Sequence, residues 1–136
     1  MADKVKRVDY FNVRVPNQPG QAFQLLSRLK EANVNLLSFT VFPSDGTSSQ
    51  VVLVPEKAET FVKAAERAGI LLSPKKVAFF AQGKDRAGAL AEVFQKLADA
   101  KINVHAANAA SAGSTYGFIF WVKAHDVDAA ARALGI

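Results

Sequence analysis

The chain has 136 residues, no cysteine and a formal net charge of +5, with half its residues apolar, so a disulfide-built scaffold is excluded and a packed core is within reach. No apolar run nears the roughly 20 residues of a membrane span, and Met1–Arg7 has no apolar stretch behind its charges, so neither a membrane anchor nor a secretory signal is expected and the cytoplasm is the expected compartment. Residues 1–75 carry ten basic and seven acidic groups and the remainder seven and five, which is scattered charge with no block for a nucleic-acid or membrane surface.

Val8–Val15 alternates, with Phe11, Val13 and Val15 on one face, and predicts a half-buried strand. Residues 16–20 form a loop on composition. From Gln21 to Asn33, Ala22, Phe23, Leu25, Leu26, Leu29 and Ala32 predict the inward stripe of a helix. Leu36–Phe42 and Gln50–Val54 read as strands joined by a hairpin turn at residues 43–48. A helix follows Pro55, with Ala58, Phe61, Val62 and Ala65 inward. Gly69 stops it, and Ile70–Leu72 is a short final strand.

Val77–Ala81 then predicts a strand, residues 82–87 a loop, and Gly88–Lys101 a helix with Leu90, Val93, Phe94 and Leu97 inward. Val104–Ala109 and Phe118–Val122 are strands around a turn at residues 112–114, and Asp126–Leu134 is a helix opened by two carboxylates suited to capping. The order β-α-β-β-α therefore occurs twice. A shift of 68 positions aligns Gly20 with Gly88, Leu29 with Leu97, Val34 with Ile102, Asn35 with Asn103 and Phe11 with Phe79. The duplication divides the chain into residues 1–74 and 75–136. After Ile136 no residues remain for a final strand in the second copy. Its sheet edge is expected to be covered by the N-terminal segment, by the first copy's last strand, or by another chain.

Chemistry-bearing residues are few. His105 and His125 lack ligand-spaced partners, no nucleophile elbow or phosphate loop is present, and no catalytic residue, metal site or cofactor is expected. The loop before the first helix occurs twice, as Asn17-Gln18-Pro19-Gly20 and Asp85-Arg86-Ala87-Gly88. Asn17 or Asp85 can cap the helix, and the same free amides can hold a small carboxylate. Asn35 and Asn103 repeat as well; each can tie down a turn or offer amide groups to a ligand.

A first strand, an Asp/Asn-x-Pro-Gly loop, an amphipathic helix and a Val-Asn-Leu lead-in to the second strand resemble the ACT domain family. The match covers residues 8–72 and 76–136, as in a free-standing tandem ACT protein. The second loop departs by having Ala87 where the family often has proline. The resemblance implies an α+β fold of two ferredoxin-like βαββαβ repeats. These have antiparallel sheets with helices on one face and are joined side by side, with the last strand of the second repeat missing or supplied from elsewhere. It implies binding of an amino acid or related carboxylate through Asn17, Gln18, Pro19, Gly20 and Asn35, and through Asp85, Arg86, Ala87, Gly88 and Asn103. It further implies a non-enzymatic homodimer that acts allosterically on its own assembly or on a separate enzyme.

Two alternatives stand beside it. Thr115-Tyr116-Gly117-Phe118-Ile119-Phe120-Trp121 resembles the aromatic strand of RNA-recognition domains, which share the βαββαβ order. Apolar residues on both faces of some strands, Phe80 among them, also suit a ligand-free assembly module.

Overall fold

The computed structural model describes residues 3–136. Its elements are β1 (Lys4–Pro16), α1 (Gln21–Glu31), β2 (Leu36–Pro43), β3 (Ser48–Pro55), α2 (Ala58–Ala68), β4 (Lys76–Lys84), α3 (Ala91–Asp99), β5 (Ala106–Ala112), β6 (Thr115–Trp121), a 3₁₀ turn (Ala124–Asp126) and α4 (Val127–Leu134). They form two compact units. The first is Asp9–Lys76; the second comprises Val77–Ile136 with residues 3–8. Strand β1 therefore starts in the second unit and ends in the first.

In the first unit β1 pairs antiparallel with β3, placing Phe11 opposite Leu53 and Val13 opposite Val51, and β3 pairs antiparallel with β2. These inward residues meet Leu25 and Leu29 of α1 and Phe61 of α2 in one apolar cluster. The rings of Phe11 and Phe61 lie 5.2 Å apart. Both helices cover one face of the sheet, as alternation on the strands requires.

In the second unit the hydrogen-bonded order is β1-β4-β6-β5. Phe79 and Ala81 of β4 face Phe120 and Phe118 of β6. The core continues into Val93 and Leu97 of α3 and Ala130 and Ala131 of α4. The segment 3–8 belongs to this unit, where β1 lies beside β4. Val5 packs on this core, and Arg7 pairs with Asp128 at the start of α4 at 3.1 Å.

Several expectations require correction. Ile70–Leu72 is not a strand: Ile70 and Leu72 pack inward, and the link to β1 is made beyond them, where Ser73 N–H donates to Asn12 O at 3.0 Å and Asn12 N–H donates to Ser73 Oγ at 2.9 Å. Phe23 is 72% exposed, whereas Phe94, 39% exposed, still packs its ring 5.6 Å from that of Phe118 on β6. Residues 82–84 continue β4 instead of forming a loop, and α3 begins at Ala91 rather than Gly88. Val52 and Val54 in the first unit, and Ala78 and Ile119 in the second, alternate with the inward residues on their strands yet are already buried in the single chain.

The β2–β3 hairpin depends on Asp45. Its carboxylate accepts hydrogen bonds from Thr47 N–H and Ser48 N–H, both at 2.8 Å, and these bonds favour the charged form and hold its pKa down at about 2. A depressed carboxylate pKa adds stability above the ordinary range, which is lost as pH falls through the folded-state value. The Thr47 and Ser48 amide resonances should therefore titrate with a midpoint near 2. A midpoint at the ordinary value of about 3.9 would refute the bonding pattern.

Candidate functional site

The two repeated loops share one architecture. Asn17 N–H donates to Thr47 O at 3.0 Å and Asp85 N–H donates to Ser114 O at 2.9 Å, so each loop is tied to the hairpin of its own unit. Gly20 and Gly88 both adopt left-handed backbone, at φ +87° and +74°, which a β-carbon disfavours by about 1–2 kcal/mol. This accounts for the repeated glycine. The capping role expected of Asn17 and Asp85 is absent: α1 is capped by Gly20 and α3 by Leu90, neither through a side-chain hydrogen bond. Asp126 likewise makes no side-chain cap on α4.

Asn17, Gln18, Pro19 and Gly20 are all exposed. In the second unit Asp85, Arg86 and Gly88 line a concavity of about 410 Å³, together with Leu90, Ala109 and Tyr116 among others, at the N-terminal end of α3. That volume falls in the range of small-molecule sites, about 300–1,000 Å³. Ala87 is exposed on the same turn.

Asn35 and Asn103 do not join the loops. Each follows the C-terminal end of the helix that its loop begins, and α1 alone, with 11 residues, spans roughly 16 Å. Asn35 Nδ2 donates to Glu56 Oε2 at 3.1 Å and its carbonyl accepts from Glu56 N–H at 2.9 Å, so it clasps the β3–α2 connection. Asn103 is exposed.

Arg86 is the best-defined polar group of the concavity. Its Nη1 and Nη2 donate to the two carboxylate oxygens of Asp3 at 3.1 and 3.0 Å, and Nη1 also donates to Lys84 O at 3.0 Å. Arg86 holds the Asp3 carboxyl below its ordinary pKa, and Asp3 raises that of Arg86 in turn. Burial, and then the adjacent Asp3, push the Tyr116 phenol up. Asp3, Gly83 and Tyr116 were not candidates from sequence. A glycine inside the run after Val77 was the one available signal, since such a glycine marks close approach of another group.

The aromatic strand serves the core. Phe118 and Phe120 are buried, and their rings lie 5.0 Å apart with Phe79 5.2 Å beyond Phe120, so these two rings offer no platform for stacking bases. Among the described residues no cluster of His, Asp or Glu could hold a metal ion, and no helix is long and apolar enough to cross a membrane.

The ACT domain model matches residues 77–135, which include the Asp85–Gly88 loop and its concavity. This part of the chain is similar to an ACT domain. No curated protein matches the chain in sequence. Among solved structures it is similar to protein BT0572 from Bacteroides thetaiotaomicron, at TM-score 0.81 and 12% identity, covering 96% of this chain and 88% of that one. It is also similar to the regulatory subunit of aspartate kinase from Thermus thermophilus, at TM-score 0.64 and 20% identity, covering 97% and 93%. A third likeness is to E. coli aspartokinase III in complex with aspartate and ADP, at TM-score 0.54 and 14% identity, covering 98% of this chain and 32% of that one. At these identities the likenesses show the fold alone.

Proposed function

We propose that this chain is a regulatory protein of two ACT-type units that binds an amino acid or related small carboxylate. In this reading it performs no chemistry on the ligand. The observation that carries it is the concavity of about 410 Å³ built by Asp85, Arg86 and Gly88 inside the matched ACT domain. The aspartate kinase regulatory subunits among the fold neighbours support a regulatory role. The first unit is taken as a second copy because its left-handed positions Gly20, Asn33 and Gly69 recur as Gly88, Lys101 and Gly135 in the same places of the element order. Its loop, Asn17-Gln18-Pro19-Gly20, is the corresponding candidate, while Asn35 and Asn103 serve the connections after the helices. The effect is a population shift in the chain's own assembly, as a cytoplasmic homodimer, or in a separate enzyme.

The test is a thermal-shift screen with the twenty L-amino acids and small carboxylates. A ligand that prefers the native state raises Tm, and at a hundred times Kd it adds about 2.7 kcal/mol. Ala109→Leu, at an exposed β5 position lining the concavity, should abolish the shift while the protein stays folded. If no compound at millimolar concentration shifts the wild-type protein or an Asp3→Asn variant that frees the Arg86 guanidinium, the assembly-only reading replaces this one.

A further inference from the structure

Asp3 lies directly on the backbone of β4. A β-carbon at Gly83 would collide with Asp3 Oδ1 and come within 3.0 Å of its Cγ and 3.1 Å of Tyr116 Cε1, so only glycine leaves this place open. The Asp3 side chain is 10% exposed, whereas that of Arg86 is 42% exposed. Asp3 therefore sits inside, with Arg86 closing over it from the loop. Both carboxylate oxygens are engaged in the paired geometry by which a guanidinium recognises any free carboxylate. Arg86 and Tyr116, the two residues beside Asp3, also line the concavity.

We propose that Asp3 is a built-in competitor for the ligand carboxylate. It occupies the Arg86 guanidinium until a ligand carboxylate replaces it, and its release frees residues 3–8 from β4. The inference rests on the ligand-binding reading above and adds how the site is regulated. The Nη1/Nη2 edge of a guanidinium pairs with one carboxylate at a time, so binding by Asp3 and binding by a ligand at that edge exclude each other. The segment that is freed continues without a break into Asp9–Pro16 of β1. Arg7–Asp128 and the packing of Val5 re-form when the ligand leaves and return the segment to its place.

The experiment measures L-amino acid binding to full-length wild type, Asp3→Asn, Gly83→Ala and Arg86→Met, with amide hydrogen exchange followed at residues 4–8. Gly83→Ala keeps both charges and displaces Asp3, with Tyr116 giving by a few tenths of an ångström. Asp3→Asn and Gly83→Ala should each bind the best amino acid roughly fivefold tighter than wild type, and Arg86→Met should lose binding. In wild type the amino acid should speed exchange at residues 4–8. Binding by the two variants with none by wild type also supports the proposal. Equal affinity in wild type and both variants overturns the competitor and leaves the ligand-binding reading intact. A gain in Asp3→Asn alone is a charge effect and overturns it too, as does slower exchange of residues 4–8 on binding. No binding by any of the four proteins overturns both readings. The exchange measurement on wild type decides the matter where a variant fails to fold.

Discussion

A variant lacking residues 1–8 is expected to lose about 2–5 kcal/mol of stability, concentrated in the second unit. The loss has three physical parts. Val5 and Val8 leave apolar surroundings, and full burial of such a side chain contributes roughly 1.5–3 kcal/mol. Strand β4 loses its hydrogen-bonded neighbour on one side. The ion pairs Arg7–Asp128 and Arg86–Asp3 disappear, though exposed pairs of this kind add at most about 1 kcal/mol each. The bared edge of β4 also invites pairing between chains. Denaturant unfolding followed by exchange at Phe79 and Phe120 would show the loss in the second unit, with Phe11 and Leu53 much less affected. Unfolding midpoints equal to those of the full chain would show that residues 3–8 add nothing to that core.

Phe120→Ala is the second large effect, expected to cost about 3–5 kcal/mol. Phe120 is fully buried, and its ring stacks on both Phe79 and Phe118, at 5.2 and 5.0 Å. Truncation removes the transfer energy of the ring and leaves a cavity that β4 and β6, locked by their ladder, cannot close. Phe23→Ser supplies the contrast. Phe23 is 72% exposed on α1, so its replacement should stay within about 0.5 kcal/mol. Chemical denaturation of both variants compares them directly. A cost below 1 kcal/mol for Phe120→Ala would contradict the packing described for this core.

Legibility from sequence followed the range of the interactions. Period-two alternation at Phe11, Val13 and Val15, and the inward set Phe61 and Ala65, recur in the structure as read, because a strand or helix face is set by local geometry. The inward assignment of Phe23 failed, while Phe94 meets the core at Phe118 but keeps part of its ring exposed. A helical stripe wider than the contact it makes leaves its flank exposed, and the contact width depends on the sheet beneath. Capping by Asn17 and Asp85 failed because Gly20 and Gly88 turn the chain in left-handed conformation before the helix starts, which carries those side chains away from the first-turn amides.

Within the candidate site, the sequence brought out the loop Asp85–Gly88 and its twin. It missed Asp3, Gly83 and Tyr116. Arg86 and Asp3 lie 83 positions apart, and no local pattern links them. Asn35 is held by Glu56 at the β3–α2 connection, a role that a repeat in sequence cannot distinguish from a repeated binding group.

By itself, then, the sequence determined the double β-α-β-β-α order, the inward faces of the strands and the repeated loop, all of which depend on residues within a few positions of one another. It left the missing strand of the second unit open among three sources. Tertiary structure decided for residues 3–8, because an unpaired edge of β4 is satisfied only by a segment that also brings an apolar residue to the core, as Val5 does. The same decision placed Asp3 on Gly83 and under Arg86, and so turned a loop residue read as a ligand contact into one already holding a carboxylate of its own chain.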